Sequence, residues 1–183
     1  MEDLKLAVAT SQDVPRLVAL VQGAYRGDSA RQGWTHEADL LDGQRTDAEA
    51  LHALIADADE RILLAFEHEA LVGCVQVSRR EAGRSYLGLL AVDPLRQAAG
   101  IGRRLIDAAE RTAAELFGAT TIEMTVIRQR ADLIAYYQRR GFVLTQESRA
   151  FPYGDDRFGL PRVADLDFAV LVKELGRAGR TST

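Results

Sequence analysis

One stretch of the sequence limits the possible folds more than any other: an apolar run, a small-residue loop and an amphipathic helix follow in direct succession. The run Tyr86–Val92 is typical of a buried strand. Residues 101–117 carry apolar side chains at helical spacing, and Gly118 follows as a stop signal. Between them, the loop Gln97-Ala98-Ala99-Gly100-Ile101-Gly102 lets backbone N–H groups turn inward at a helix N-terminus. Such an arrangement binds a phosphate or pyrophosphate, although glycines before a helix also serve packing alone.

Two familiar phosphate-binding loops do not fit this one. A Walker loop requires Gly-Lys-Ser/Thr, whereas Gly102 precedes Arg103-Arg104. A dinucleotide fingerprint requires a third glycine three residues after Gly102, and that position is Leu105. The loop is therefore either a phosphate site of another kind or a packing element.

The remaining patterns predict an α+β fold in a single domain, residues 1–183. The expected N-cap of the first helix is Ser11. The order of elements favours one mixed, mostly antiparallel sheet with helices on both faces. We expect strands at 6–9, 61–66, 70–78, 86–92, 120–127, 142–145 and 166–172, and helices at 11–25, 47–58, 101–117 and 131–140.

Charge and cysteine usage exclude several classes of protein. The formal net charge is -4 and the basic residues form no block, which disfavours non-specific nucleic-acid binding. No apolar stretch approaches the ~18 residues of a membrane span, and the acidic N-terminus lacks a signal core, so a cytoplasmic location is expected. The single cysteine, Cys74, excludes an intrachain disulfide and a CxxC metal site. Because Cys74 lies in the apolar run 71–77, we expect a buried thiol, and we predict no metal.

Two elements together resemble the GNAT acetyltransferase family. The loop is similar to the family's Gln/Arg-x-x-Gly-x-Gly/Ala signature through Gln97, Gly100 and Gly102. The segment 135–142, Ala-Tyr-Tyr-Gln-Arg-Arg-Gly-Phe, resembles the family's Leu-Tyr-x-x-x-Gly-Phe helix. The resemblance covers residues 60–145 well and residues 1–59 only by length and element order.

The resemblance implies an N-acetyltransferase that uses acetyl-CoA. It assigns residues 60–145 to the cofactor core, 1–59 to acceptor-side helices and 146–183 to a C-terminal loop and strand. The strands ending near Val92 and Val126 are expected to splay apart around the pantetheine arm, and Tyr137 is implied as the proton donor to the leaving thiolate. The implied cofactor-binding residues are Leu90, Ala91, Val92, Gln97, Ala98, Ala99, Gly100, Ile101, Gly102 and Arg103.

The residue that removes the proton from the amine is less evident. Arg130 stands where the family often has an Asn, and the run Tyr86–Val92 lacks the Glu that some members use as a base. Glu123, on the second splayed strand, is one candidate base, acting directly or through water. The alternative is that Glu123 is a solvent-facing strand residue.

Two segments are candidates for the acceptor site, 34–47 and 151–162. The first contributes Trp34 and His36 as candidate contacts, and the second contributes Asp155 and Asp156 beside aromatic rings. Rings with adjacent carboxylates suit a cationic amine, although an ordinary turn-rich loop has the same composition. A small-molecule amine and a protein amino group both stay open as acceptors, and so does a homodimer.

One competing function has the same fold: a non-catalytic module that senses acyl-CoA. The presence of Tyr137 disfavours it, and the missing strand Glu favours it. A third function, acetylation of charged tRNA, would require a basic face, and the acidic net charge of the chain disfavours it.

Overall fold

The computed structural model describes residues 4–97, 99–156 and 159–176, and within them one sheet has seven strands. Their order is β1-β3-β4-β5-β6-β9-β7, and only the β5–β6 pair is parallel. This confirms the predicted α+β fold with one mixed, mostly antiparallel sheet. The strands are β1 (Leu4–Val8), β3 (Glu60–Glu67), β4 (Ala70–Arg79), β5 (Arg84–Val92), β6 (Thr121–Ile127), β7 (Val143–Ala150) and β9 (Asp167–Glu174); β2 (Leu41–Asp42) and β8 (Leu160–Pro161) form a second, two-stranded sheet.

Helices cover both faces of the large sheet. One apolar core joins a face of the sheet to α4 and α5, and a second joins the other face to α1 and α3. In the part of the chain that the structure describes, no helix is both long and apolar enough to span a membrane. The helices are α1 (Val14–Tyr25), α2 (Gly27–Ala30), α3 (Ala48–Ala56), α4 (Ile101–Glu115) and α5 (Ala131–Gln138), with 3₁₀ turns at Ser11–Asp13 and Pro94–Arg96.

The start of the first helix differs from the prediction. Ser11 is not the N-cap, because Ser11–Asp13 form a 3₁₀ turn ahead of α1. The carboxylate of Asp13 accepts hydrogen bonds from the Thr10 backbone N–H at 2.8 Å and from the Thr10 hydroxyl at 2.9 Å. The hydrogen bonds between Thr10 and Asp13 therefore cap the start of this segment, a role that the sequence pattern assigned to Ser11.

The β5–β6 pair opens at one end, as the family resemblance implied. Their pairing runs from Arg84 opposite Thr121 to Tyr86 opposite Glu123 and goes no further. Residues 87–92 and 124–127 therefore line a gap in the middle of the sheet. Backbone groups on both sides of this gap have no partner strand there, so the gap is open to a ligand.

A β-bulge in β5 lies beside the gap. Between Gln76–Gly88 and Cys74–Ala91, β5 has one residue more than β4. Leu89 carries the distortion, with a φ of 45°, and its carbonyl accepts a hydrogen bond from the Cys74 thiol at 3.4 Å. The bulge reverses the alternation of the strand, because Leu87 packs with the α4 core and Leu89 with the α1 core.

Candidate active site

A cleft at the glycine loop, which we call the loop cavity, lies where β5, α4 and α5 converge. Of the residues predicted to bind the cofactor, it contains Leu90, Ala91, Val92, Gln97, Gly100, Ile101 and Gly102. Ala99 and Arg103 are exposed and are not among its lining residues, and Ala98 lies outside the described residues. The other lining residues are Ala24, Tyr25, Trp34, Thr35, Arg96, Arg130, Leu133, Tyr136, Tyr137 and Arg140.

The N-terminus of α4 forms one wall of the loop cavity. Gly100 precedes the helix with a φ of 81°, in the left-handed region that favours glycine. A Cβ on Gly102 would lie 3.0 Å from the Tyr136 hydroxyl, so glycine at that position keeps the wall open. The first N–H groups of a helix have no intrahelical acceptor, and together with the helix dipole they attract an anion.

Gln97 connects the loop to two other segments. Its side-chain oxygen accepts a hydrogen bond from the Trp34 backbone N–H at 2.8 Å, and its amide nitrogen donates to the Val92 carbonyl at 3.4 Å. Trp34, which the sequence suggested for the acceptor, therefore lies on the loop cavity, where its ring packs 5.2 Å from that of Tyr136.

Sequence reasoning missed Arg140 as part of this cavity. Its guanidinium lies 3.4 Å from the centroid of the Tyr136 ring, and its Nη1 donates to the Tyr136 carbonyl at 3.0 Å. Its Nε is buried without a hydrogen-bond partner among the described residues. The position just before Gly141, at the end of a helix that carries the family motif, is the signal that could have identified it.

Tyr137 is fixed by the turn that ends α5. The Phe142 N–H donates to the Tyr137 carbonyl at 3.2 Å, and the Gly141 N–H donates to the Gln138 carbonyl at 3.0 Å. These are the two hydrogen bonds of a Schellman ending, and the rings of Tyr137 and Phe142 pack at 5.9 Å in the contact that accompanies it. The predicted packing of Tyr137 against Phe142 is confirmed.

The hydroxyl of Tyr137 stays protonated and unengaged. Burial, the largest effect, raises the pKa of Tyr137 well above its ordinary value, and Arg130 opposes that shift. The hydroxyl makes no hydrogen bond to any residue that the structure describes. A neutral hydroxyl with a free proton can donate to an atom that enters the cavity.

A second cleft, which we call the gap cavity, lies between the diverging ends of β5 and β6. Its volume is about 180 Å³. Both segments proposed for the acceptor contribute to it, and the β2–β8 pairing holds them together. It shares Tyr25, Leu90, Arg130, Leu133 and Tyr137 with the loop cavity, so the two cavities meet at Tyr137; its other lining residues are Glu37, Leu41, Arg45, Tyr86, Leu87, Gly88, Leu89, Met124, Thr125, Val126, Ile127, Phe151 and Phe168.

Glu37 is the centre of a buried ionic cluster at the gap cavity. Its carboxylate accepts hydrogen bonds from Arg26 at 2.5 Å and Arg130 at 2.9 Å, and the Nε of Arg45 lies 4.0 Å away. Burial raises the pKa of Glu37, but the three arginines outweigh it and hold that pKa below its ordinary value. No local sequence pattern indicates this cluster, because Arg130 lies 93 residues from Glu37 along the chain.

Tyr25 connects the gap cavity to the bulged strand. Its hydroxyl donates a hydrogen bond to the Leu90 carbonyl, and the guanidinium of Arg45 lies over its ring at 5.1 Å. Burial, the largest effect, raises the pKa of Tyr25 to about 12. Tyr25 therefore contacts Leu90 through its hydroxyl and Arg45 through its ring.

The other predicted acceptor residues and the candidate base lie outside both cavities. The Nδ1 of His36 accepts a hydrogen bond from the Ala38 N–H at 3.3 Å. Asp155 is partly exposed and Asp156 is exposed. Glu123 accepts a hydrogen bond from Arg149 at 3.1 Å. On β6 it precedes Thr125 by two residues and therefore shares a face with a residue that lines the gap cavity.

A model of the acetyltransferase (GNAT) family matches residues 24–142. The ribosomal-protein-S18-alanine N-acetyltransferase of Escherichia coli has a similar structure, with a TM-score of 0.70, 16% sequence identity and 99% of each chain covered. So does yncA of Salmonella typhimurium, solved with its cofactor acetyl-CoA, with a TM-score of 0.70, 15% identity and 99% of each chain covered.

A third similar structure is a mutant of the spermidine N-acetyltransferase of Vibrio cholerae, with a TM-score of 0.68, 16% identity and 94% of each chain covered. No curated protein sequence matches the chain. At these identities the likeness to solved structures is one of fold.

Proposed function

Because the chain belongs to the GNAT acetyltransferase family, we propose that it transfers an acetyl group from acetyl-CoA to a primary amine by direct attack in a ternary complex. The observation that carries the proposal is the meeting of the loop cavity and the gap cavity at Tyr137. Two reactants that enter from different cavities reach the same hydroxyl there. Direct attack is supported because Cys74, the single cysteine, is buried and burial raises its pKa to about 12, which makes it a poor nucleophile.

The residues of the loop cavity suit acetyl-CoA. The open wall at Gly102 and the α4 N-terminus fit a pyrophosphate, and the unpartnered Nε of Arg140 offers a further donor. We assign the pyrophosphate to Gln97–Gly102 and the pantetheine arm to the backbone of Leu90–Val92. The carbonyls of Leu90 and Val92 already accept hydrogen bonds from Tyr25 and Gln97, and each retains a second lone pair.

Tyr137 acts as the proton donor in this proposal. Acetyl-CoA supplies an acyl group activated as a thioester; the amine nitrogen forms a bond to the carbonyl carbon as the carbon–sulfur bond breaks. Tyr137 gives its proton to the departing sulfur. Since burial raises the pKa of Tyr137, its ionised form is unstable, so the proton must be replaced at once from the amine or from water.

An alkyl amine, with a pKa of ~10.4, reaches the site as an ammonium ion and must lose one further proton before it attacks; we retain Glu123 as the proposed base that takes this proton through water. Glu123 is opposite Tyr86 in the β5–β6 pairing, and the Tyr86 and Thr125 hydroxyls share a hydrogen bond at 2.8 Å. These two hydroxyls line the gap cavity and offer a polar path toward Glu123. His36, Asp155 and Asp156 remain predicted acceptor contacts, and the cytoplasmic location remains a prediction.

The experiment that tests the function combines thiol release with binding. Acetyl-CoA is incubated with the protein and a panel of primary amines, small molecules and peptides with free N-termini, while calorimetry measures binding of CoA. Thiol release that depends on one class of amine is expected. CoA binding without release of thiol from any amine would overturn the transferase and favour the acyl-CoA sensor.

The sensor has one structural observation in its favour. Glu37 is the one carboxylate among the described residues that line the gap cavity, and two arginines already occupy it. A protein that only binds acyl-CoA needs no free base there. The unengaged hydroxyl of Tyr137 favours the transferase, because a sensor has no use for a proton donor at that point.

A further inference from the structure

The gap cavity carries an excess of positive charge. Among the described residues that line it, the charged ones are Glu37, Arg45 and Arg130. Arg26, with a side chain only 2% exposed, binds Glu37 from behind and adds a third guanidinium. Three arginines therefore surround one carboxylate, and the cluster has a formal charge excess of two.

Arg45 is the arginine of the cluster that combines exposure with free N–H groups, since the unpartnered nitrogens of Arg26 are buried. Arg26 and Arg130 bind Glu37 directly, and Arg130 also donates to the Thr35 hydroxyl at 2.6 Å. The Nε of Arg45 stays 4.0 Å from Glu37, and its terminal amino groups donate no hydrogen bond to any residue within the described ranges. The side chain is 30% exposed and lines the gap cavity and an adjoining open groove.

The Tyr25 ring lies beneath the guanidinium of Arg45. The guanidinium lies 5.1 Å from the centre of a ring whose own hydroxyl is bound to the bulged strand. A guanidinium that already contacts a ring loses less freedom when it forms paired hydrogen bonds to a planar anion. Arg45 is thus a preorganised donor beside the point where the two cavities meet.

We propose that the acceptor amine carries a carboxylate close to its amino group and that Arg45 binds this carboxylate, so that the acceptor is a small amino acid-like molecule. The proposal rests on the proposed acetyl transfer. A volume of about 180 Å³ is small beside the ~300–1,000 Å³ of typical drug-sized sites, so it suits a molecule of this size. A polyamine fits poorly, since among the described residues that line the gap cavity no carboxylate is free to meet a second positive charge.

The test compares free amino acids with their carboxamides. Each of the common L-amino acids is assayed with acetyl-CoA beside its amide, which has the same shape but no negative charge. We expect the wild-type protein to have the higher kcat/KM for the acid of at least one pair. This preference must come from recognition, because the lower pKa of an amide's amino group gives the amide more neutral nucleophile.

Substitutions of Arg45 test whether the preference for the acid over the amide comes from this residue. Arg45→Gln is expected to lower kcat/KM for the preferred acid by roughly 10- to 100-fold, the effect of one charge-assisted contact, through KM for the acid and not through KM for acetyl-CoA. The rate for the matched amide should stay nearly constant. Arg45→Lys keeps the positive charge but loses the paired donors of the guanidinium, so an intermediate preference for the acid is expected. Arg31→Gln is the matched control, because Arg31 pairs with Asp39 and lines neither cavity.

Three outcomes separate the two proposals. Equal use of acid and amide by the wild-type protein, or an acid preference that survives Arg45→Gln, would overturn the carboxylate site and leave acetyl transfer standing. Thiol release from no amine at all would overturn both. If Arg45→Gln lowers both rates through loss of structure, the ratio of acid to amide in Arg45→Lys still decides the matter: an undiminished ratio contradicts the proposal.

Discussion

At the scale of single residues, Tyr137 combines three properties that a proton donor requires. It is 5% exposed, its ring packs against Phe142, and its hydroxyl has no hydrogen-bond partner in the described part of the chain. The role of Tyr137 came from the family resemblance, and its packing followed from the position of Gly141 in the sequence. Its free hydroxyl could not be predicted, because that depends on which residues surround it in space.

Replacement of Tyr137 by Phe should lower kcat and leave the affinity for acetyl-CoA unchanged. Only the hydroxyl is lost, and general acid catalysis typically contributes ~10²–10⁴-fold. Because burial raises the pKa of Tyr137, the wild-type protein should keep its proton donor at least up to pH ~10, the ordinary tyrosine value, and kcat should not decline below that. Turnover by the Phe variant equal to wild type, measured with chemistry limiting, would exclude the role.

The pH dependence of a Glu123 variant tests its proposed role as the base. If it accepts the amine proton through water, Glu123→Gln should lower kcat/KM at neutral pH, and the deficit should shrink as rising pH deprotonates the amine in solution. Arg149→Gln is the control, because it removes the partner of Glu123 and keeps the carboxylate. A deficit that is the same at every pH would mean that Glu123 serves only to hold Arg149.

At the scale of elements, the sequence predicted those segments whose side chains repeat with a regular period. The hairpin of β3 and β4, the β5–loop–α4 unit and the end of α5 all appear close to their predicted bounds. The strands β2 and β8 were missed, because two residues are too few to show a period. The bulge at Leu89 was missed for a related reason: it reverses a strand's alternation without changing its composition.

The loop before α4 can be tested as the phosphate site by replacing Gly100. Gly100→Val should weaken CoA binding roughly tenfold or more, because the side chain would obstruct the backbone to which we assign the pyrophosphate. Gly118→Val is a matched control: Gly118 also has a positive φ, 64°, and a Cβ there also meets nothing within 4 Å. Both variants should therefore lose similar stability.

Calorimetry measures the affinity of each variant for CoA, and chemical denaturation measures its stability. Together they distinguish loss of a phosphate-binding site from backbone strain. Loss of affinity in Gly100→Val alone supports the loop as the phosphate site. An equal loss in both variants would mean that strain in α4, which both glycines flank, accounts for the effect.

At the scale of the whole molecule, Glu37 joins parts of the chain that lie far apart. Its carboxylate connects Arg26 at the end of α1 with Arg130 at the start of α5, and Arg45 lies close by. No local pattern predicts such a cluster, because each member is an ordinary charged residue in its own segment. Only the fold brings them to the gap between β5 and β6.

Loss of the Glu37 charge should destabilise the whole fold. Glu37→Gln leaves Arg26 buried without a counter-ion, and removing one partner of a buried pair costs about 3–5 kcal/mol of the free energy of unfolding. Asp39→Asn, which breaks the exposed pair with Arg31, should leave stability unchanged. Urea denaturation measures both, and equal stability of the two variants would contradict this role for Glu37.

The same cluster sets the direction of a pH effect. Burial raises the pKa of Glu37, but the arginines outweigh it and the pKa is lowered in the folded protein. The stabilisation is therefore present above the unfolded-state pKa of ~4.3 and is lost as the pH falls through the lower folded value. Glu37→Gln should lack this part of the acid sensitivity.

The Cys74 thiol donates a hydrogen bond to the Leu89 carbonyl at the bulge, so the reactivity of this thiol reports local opening of the sheet. Cys74 is completely buried, is the single cysteine and has a pKa raised by burial to about 12, so maleimides and aromatic disulfides cannot reach or activate it while β4 and β5 stay paired. Colour that develops with an aromatic disulfide in the thiol-release assay would then come from CoA and not from Cys74. Without substrate, the rate at which Cys74 is labelled measures how often β4 and β5 separate locally.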